Sequence, residues 1–556
     1  MFKHYHITSH QVSQLSAKEI KQGFIARKNL LNRTLTKINQ TNRTDSVQHY
    51  VFVGPRGSGK TLMLNRIKVE FENSDKFITV YLPEEQPGIF RLFDVWLAVI
   101  NELISLGYHI QKPAMDLSKE NFSYLSKTGY EILHEFLKKE NKQIILLLDN
   151  IDRVFYNIEE DKALLRELLQ NHKDLIIIGG STEMSEDFWN YGDPFYQFFK
   201  IVRLEDLSKT EVFDLLIHWS NTFDSPELQK VLLTNPGKIE AIRQMTGGNP
   251  RAMIMFIRLL EDNRNATGFD YLMDIIDQTT AIYQERLQNL TPQQRKIVAE
   301  LAFIWSPATV EQLVRACLMQ NSLISAQLNK LQKAGIVEAV KPPKSRTVYR
   351  LKERLFNLYL IMTQAGTIQK KRAKHLTDFL EMWYNQEFHE QPTNTTHQQF
   401  TLSESQPPSY SFEDILKNEL LKLYEENNKK AVTEYLKNHV EQKKNHPLLN
   451  IIDLWLGEAQ KYQQLRSMIS EILPAHKHAG IYIQESLVHY QYDWINQLFE
   501  RFEDLREKFV PFYYATQILH HPASDIKTFV PEVMIETVQN ILTYIKNRQN
   551  FYYGGK

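Results

Sequence analysis

Eight consecutive residues, Gly54-Pro55-Arg56-Gly57-Ser58-Gly59-Lys60-Thr61, fit G-x-x-x-x-G-K-[ST] with no mismatch. Chemistry demands these types at this spacing. Glycines let successive backbone N–H groups close around phosphate oxygens, the lysine brings a cation to the outer phosphates, and the threonine hydroxyl can ligate magnesium. The flanks are the ones such a loop needs: Tyr50-Val51-Phe52-Val53 reads as a buried strand, and Leu62 to Ile67 as the first turns of a helix. Residues Gly54 to Leu62 are therefore expected to hold the phosphates of a nucleotide.

A loop of this kind works with a carboxylate on a neighbouring strand, and the apolar run Ile144 to Leu148 ends in Asp149. Thr61 and Asp149 form the expected magnesium pair, and Lys60 and Asp149 the expected catalytic core. A hydrolysing site of this design carries a glutamate beside that aspartate to polarise water. Here the position holds Asn150, an amide that cannot act as a base, so hydrolysis is expected to be slow or absent unless Asp152 takes the part.

Further strands read at Phe77–Leu82, Leu175–Ile178 and Phe199–Leu204, separated by helical stretches. Five parallel strands with helices on both faces, one strand lying between the two motifs, give an α/β P-loop NTPase core. After the Leu175 strand, Ser181 or Thr182 stands where a polar side chain could sense a terminal phosphate. No N-K-x-D element for guanine is present, so ATP with Mg2+ is the expected ligand.

At this point the chain resembles the STAND ATPases and the origin-recognition-like initiators among AAA+ proteins. Gly23-Phe24-Ile25-Ala26-Arg27-Lys28-Asn29-Leu30-Leu31 is similar to the F-[VI]-G-R-x-x-E-L element that lines the adenine pocket there, with Ala26 and Asn29 in place of glycine and glutamate. Thr246-Gly247-Gly248-Asn249-Pro250-Arg251 is similar to the G-x-P element of STAND proteins and to the second sensor of AAA+ proteins. The resemblance implies that Phe24, Ile25 and Arg27 border the base, that Pro250 starts a lid helix, and that Arg251 reports the γ-phosphate. It spans about residues 20 to 365.

The helical lid opens at the capping box Ser208-Lys209-Thr210-Glu211, and a second box begins at Thr291-Pro292-Gln293-Gln294. Helices Arg295–Ile304, Val310–Cys317 and Ser322–Ala334, followed by strands Gly335–Val340 and Thr347–Leu351, give a winged helix. Leu328, Leu331 and Ile336 are expected inside; Gln327, Lys330 and Lys333 are expected on exposed flanks, with Lys341, Lys344 and Arg346 on the wing. Thr291 to Lys374 holds fifteen Lys/Arg against four Asp/Glu, in a chain whose 66 basic and 66 acidic residues cancel. Two readings stay open: the module contacts duplex DNA through those cations, or, as in STAND relatives, it locks the resting state against the nucleotide.

The polar stretch between Phe388 and Ser411 reads as a linker, and residues beyond it as helices, Trp494, Leu498 and Phe499 among them at helical spacing. Leu454-Trp455-Leu456-Gly457 with Pro474 is similar to a tetratricopeptide unit. His4, His6, His476 and His478 lack companions at metal spacing. The domains are thus read as 1–48, an N-terminal segment with the adenine element; 49–207, the P-loop core; 208–288, the lid; 289–375, the winged helix; 376–411, helix and linker; and 412–556, an all-α C-terminal domain.

Composition fits an ordinary globular protein: of 556 residues, 42% are hydrophobic and 24% charged. The lone Cys317 allows no internal disulfide, and no apolar run approaches a membrane span, so a cytoplasmic location is expected. The implied role is an ATP-controlled switch, assembling as a homo-oligomer and exposing its winged helix and a C-terminal surface for a protein partner, in phage defence, signalling or transcription control. A DNA-binding factor like initiators or transposition regulators is the alternative, and a scaffold with a structural nucleotide the third.

Overall fold

A computed structural model describes residues 15–41, 47–84, 88–112, 122–182, 192–223, 225–261, 266–341, 346–390, 479–522 and 525–553. Helices α1 (Ala17–Gly23) and α2 (Lys28–Gln40) lead into β1 (His49–Val53), α3 (Lys60–Phe71), β2 (Phe77–Leu82), α4 (Leu92–Ser105), α5 (Phe122–Glu140), β3 (Gln143–Asp149), α6 (Ile151–Asn157), α7 (Lys162–Asn171), β4 (Leu175–Ser181) and β5 (Phe199–Arg203). The five strands form a parallel sheet in the order β2-β3-β4-β1-β5.

All five expected strands are present, and the strand between the two motifs, β2, is the one that pairs with β3. Their near-continuous apolar sequence follows from burial on both faces. Tyr50, Phe52, Ile145, Leu147, Ile176 and Ile178 pack with α2 and α3. The alternate residues Val51, Val53, Ile78, Val80, Ile144, Leu146, Leu148 and Ile177 pack with α4 to α7. Strand β4 runs three residues past its expected end, through Gly179, Gly180 and Ser181, and a Cβ at Gly179 would stand 2.7 Å from Ile151. Only a residue without a side chain lets α6 approach the strand there.

Five helices follow: α8 (Lys209–Phe223), α9 (Pro226–Thr234), α10 (Pro236–Thr246), α11 (Pro250–Glu261) and α12 (Gly268–Gln288). The Ser208 box forms, Ser208 N donating to Glu211 Oε2 at 3.0 Å. Next come α13 (Pro292–Ile304), capped reciprocally by Thr291 and Gln294, β6 (Ala308–Thr309), α14 (Val310–Cys317), α15 (Asn321–Lys333), β7 (Val337–Val340) and β8 (Val348–Leu351). These strands form an antiparallel sheet ordered β6-β8-β7, and β6, two residues long, leaves no period in the sequence to read.

Helix α16 (Arg354–Gln364) and helix α17 (Thr367–Glu390) continue the chain, α17 running unbroken across residue 375, where the sequence reading set a boundary. The described C-terminal helices are α18 (Ala479–Val488), α19 (Tyr492–Arg501), α20 (Glu503–Lys508), α21 (Val510–His520), α22 (Ile526–Phe529) and α23 (Glu532–Tyr553). Trp494, Leu498 and Phe499 are buried as expected. The linker from 391 to 411, the tetratricopeptide-like stretch and His4, His6, His476 and His478 lie outside the described residues.

From α8 to α23 one apolar core runs without interruption. Helix α10 presses on α17 so closely that a Cβ at Gly237 would stand 2.2 Å from the Glu381 carbonyl oxygen. Among the described residues no helix is long and apolar enough to cross a membrane.

Candidate functional site

The glycine loop leaves the C-terminal end of β1 where β4 and β5 grip it: Gly54 N donates to Ser181 O at 3.1 Å, and Leu204 N to Val53 O at 2.8 Å. Gly57 (φ 85°) and Gly59 (φ 90°) are left-handed, a conformation that strains any side-chain-bearing residue. Gly59 caps α3 and delivers Lys60 and Thr61 to its first turn. Lys60 curls over its own loop, Nζ donating to Gly54 O at 2.7 Å and Pro55 O at 3.0 Å. Burial holds its ammonium down at about 8, opposed by Asp149, Asp152 and Glu84.

Thr61 Oγ1 donates to Asp149 Oδ2 at 2.7 Å, and Tyr81 OH to the same oxygen at 3.2 Å. A hydroxyl and a carboxylate at one point are the hard oxygen donors that suit magnesium. Burial raises Asp149 above the usual carboxylate range, with Thr61 acting against it. Three buried polar atoms around the loop, Ser58 Oγ, Asp152 Oδ1 and Arg251 Nε, have no hydrogen-bond partner. Such orphans suit a polar ligand and its water shell.

Beyond Asp149 the backbone turns left-handed at Asn150 (φ 59°), whose Nδ2 donates to Glu84 Oε1 at 2.7 Å. Asp152, in the first turn of α6, is raised by burial and held by Ser181. Ser181 is thereby committed to Asp152 and fully buried, whereas Thr182 borders the large cavity described below. Sequence reasoning passed over Glu84, although a carboxylate just past the end of a parallel strand lies on the rim where ligands bind in such sheets.

Between the loop and helices α8 and α11 runs an apolar slot bordered by Phe24, Ile25, Ala26, Leu62, Trp219 and Pro250. It brings together the residues expected to border the base with the first residue of α11. Arg27, left-handed at φ 64°, donates to the carbonyls of Ser58 and Glu205, tying this segment to the loop.

Helix α11 touches the loop directly. Arg251 N donates to Asn249 Oδ1 at 3.0 Å and to Gly57 O at 3.3 Å, and Asn249 Nδ2 donates to Arg56 O at 3.2 Å. A Cβ on Gly57 would stand 2.8 Å from Asn249 Oδ1 and 2.9 Å from Arg251 Cβ. Asn249, another residue missed, is thus the clasp between α11 and the loop. Burial lowers Arg251 from the ordinary guanidinium value.

On the other side of Arg251 opens a cavity of about 500 Å³, bordered by Pro55, Arg56, Thr182, Arg251 and Tyr283, and by Arg350, Glu353 and Arg354 from the β8–α16 region, with Glu532 of α23. Glu353 accepts from Tyr283 OH at 2.5 Å and Arg286 Nη1 at 2.6 Å. Glu532 stands 3.7 Å from both Arg350 and Arg354, and Arg243 joins Glu240 at 2.6 Å to Glu536 at 2.7 Å.

Part of the basic segment is paired. Arg346 bonds Glu311 and Arg350 bonds Glu338, each at 2.5 Å; Lys371 meets Asp504 at 3.4 Å, Arg372 meets Glu507 at 3.0 Å, and Lys374 meets Asp378 at 2.8 Å. Lys330, Lys333 and Lys341 are exposed, and Lys344 lies outside the described residues. Gln327 departs from its expected exposed flank: it is buried, and its amide donates to Gln293 Oε1 at 3.2 Å, which ties α15 to α13.

The sequence profile of a family described as "AAA-like domain" matches residues 22–360. No curated protein matches the chain. Among solved structures it is similar to Cdc6p from Pyrobaculum aerophilum, with 15% identity over 61% of this chain and 93% of that one and a TM-score of 0.31. It is also similar to Aeropyrum pernix Orc1 in complex with DNA, at 14% identity, 62% and 94% coverage and a TM-score of 0.35. The third is the Thermotoga maritima RuvB Holliday junction branch migration motor, at 17%, 58% and 92%, and 0.30.

Proposed function

The chain belongs to the AAA-like domain family, and from that premise we propose that it is an ATP-binding switch of the STAND kind, in which ATP or ADP sets the position of the lid and of everything packed on it. One observation carries this reading: α11 begins with Pro250 in the apolar slot and continues with Arg251 on Gly57, so base, phosphates and lid meet at two consecutive residues. In this reading Phe24, Ile25 and Leu62 take the base, Gly54 to Thr61 the triphosphate, Thr61 and Asp149 magnesium, and Arg251 reports the terminal phosphate.

Arg251 also faces the cavity bordered by Arg350, Glu353 and Glu532. A shift of α11 is thereby transmitted to the unit Pro292–Leu351, which we read as a winged helix, and to the C-terminal helices through their shared core. Pairing of Arg346, Arg350, Lys371, Arg372 and Lys374 favours a winged helix that locks the resting state. The exposed Lys330, Lys333 and Lys341 support the second reading, a DNA-binding factor.

Mass photometry with ADP, ATP or a slowly hydrolysed ATP analogue, each with and without duplex DNA, tests both. Assembly with ATP alone supports the switch; assembly only with DNA supports the second reading. Lys60→Ala should abolish ATP binding while leaving the circular-dichroism spectrum unchanged, and undiminished affinity in that variant would refute the assignment of the site.

A further inference from the structure

The site described above lacks one group at the place where sequence reasoning looks for it. The Asn150 amide cannot accept a proton at neutral pH, so an attacking water beside it finds no base there. The fold brings a carboxylate to this same point from another strand. Strands β2 and β3 pair in parallel with Leu82 opposite Leu148, so Glu84 stands level with Asn150, and its Oε1 accepts the Asn150 amide at 2.7 Å.

Four groups at the phosphate end of the site feel the charge of Glu84. It acts on Lys60, Asp149, Tyr81 and Arg251. Glu84 is also exposed, free to pass a proton to solvent. Asp152, which also acts on Lys60, lies on the β4 side of Asp149, is half-buried, and is held by Ser181. Asn150 is suited to a positioning part, since its left-handed backbone fixes the side chain and its amide is a neutral donor that leaves the Glu84 charge intact.

We propose that Glu84 is the general base for ATP hydrolysis, carried on β2 instead of beside Asp149, with Asn150 holding its carboxylate toward the attacking water. The proposal rests on the ATP-binding reading above. Glu84 takes a proton as the water oxygen bonds to the γ-phosphorus. The bond from that phosphorus to the β–γ bridging oxygen breaks, and its electron pair leaves on ADP. Glu84 then returns the proton to phosphate or solvent, so no other reactant is needed.

Single-turnover conversion of labelled ATP, with protein in excess, should be followed together with ATP affinity and melting temperature in wild type, Glu84→Gln, Asp152→Asn and the exchange Glu84→Asn with Asn150→Glu. Glutamine keeps an acceptor for the Asn150 amide, so affinity and melting temperature should hold while conversion falls about 100-fold or more. The exchange restores a carboxylate and an amide in reversed places and should regain conversion to within roughly tenfold of wild type. Undiminished conversion in Glu84→Gln overturns the proposal. So does a loss confined to Asp152→Asn, or a wild type that binds ATP without converting it. A wild type that binds no ATP overturns the reading of the site itself, which the affinity measurement distinguishes.

Discussion

Lys60 offers a quantitative handle because its ammonium is buried. A fall from the ordinary 10.5 to about 8 corresponds to about 3 kcal/mol, at roughly 1.4 kcal/mol per pH unit. The folded-state value is depressed and the group is a cation, so the cost is fully present below pH 8. It shrinks as pH rises from about 8 to 10.5, where the unfolded chain still holds a proton that the folded one has released. Replacing Lys60 by Met removes that cost but leaves the Gly54 and Pro55 carbonyls without their donor, which costs about 1–3 kcal/mol. In thermal melts without nucleotide, wild type should therefore gain about 3 kcal/mol relative to Lys60→Met between pH 7 and pH 10.5. On the ATP-binding reading, phosphate anions at the ammonium would reverse the depression, so binding at pH 8 should take up roughly half a proton, and at pH 7 about a tenth. Calorimetric titrations in two buffers of different ionisation heat measure that uptake. A pH-independent difference between the two proteins, together with no proton uptake at pH 8, would refute the reasoning.

Other perturbations separate the parts of the site. Arg251→Ala should retain ATP binding and erase the difference between ATP and ADP in mass photometry, whereas an unaltered difference removes Arg251 from the sensing role. Gly57→Ala forces a left-handed φ on alanine and drives its Cβ into Asn249 and Arg251; strain of about 1–3 kcal/mol should weaken ATP binding by roughly 10-fold in titration calorimetry. Arg243→Met strands the fully buried Glu240 carboxylate, and urea unfolding should show a loss of about 3–5 kcal/mol in the lid and C-terminal helices.

How much of this was legible depended on whether a structural feature leaves a local trace. The five strands leave one each, a run of β-branched and apolar residues, and the phosphate loop leaves an unmistakable one because its backbone conformation admits only glycine at Gly57 and Gly59. The capping boxes at Ser208 and Thr291 were equally local, since a side chain and a backbone three residues apart satisfy each other. Gln327 was misplaced for the opposite reason: helical spacing marks it as a flank, and only the approach of Gln293 from another helix buries it. Part of the pairing within the basic stretch Thr291 to Lys374 is equally non-local. The carboxylates that pair with Lys371 and Arg372 lie on α20, more than 130 residues further along the chain.

Glu84 marks the boundary of sequence reasoning most sharply. Read along the chain, Asn150 is a substitution that removes a function, because the eye looks for the missing carboxylate in the next residue or the one after, as at Asp152. The sheet imposes a different adjacency. Residues just past the ends of paired parallel strands are neighbours whatever their separation in sequence, and 66 residues separate Glu84 from Asn150. A base need only reach the water, and either strand end can carry it. The amide at position 150 and the carboxylate at position 84 are then two halves of one arrangement, and changing one alone should be worse than changing both. That non-additivity separates an exchange of roles from a loss of function.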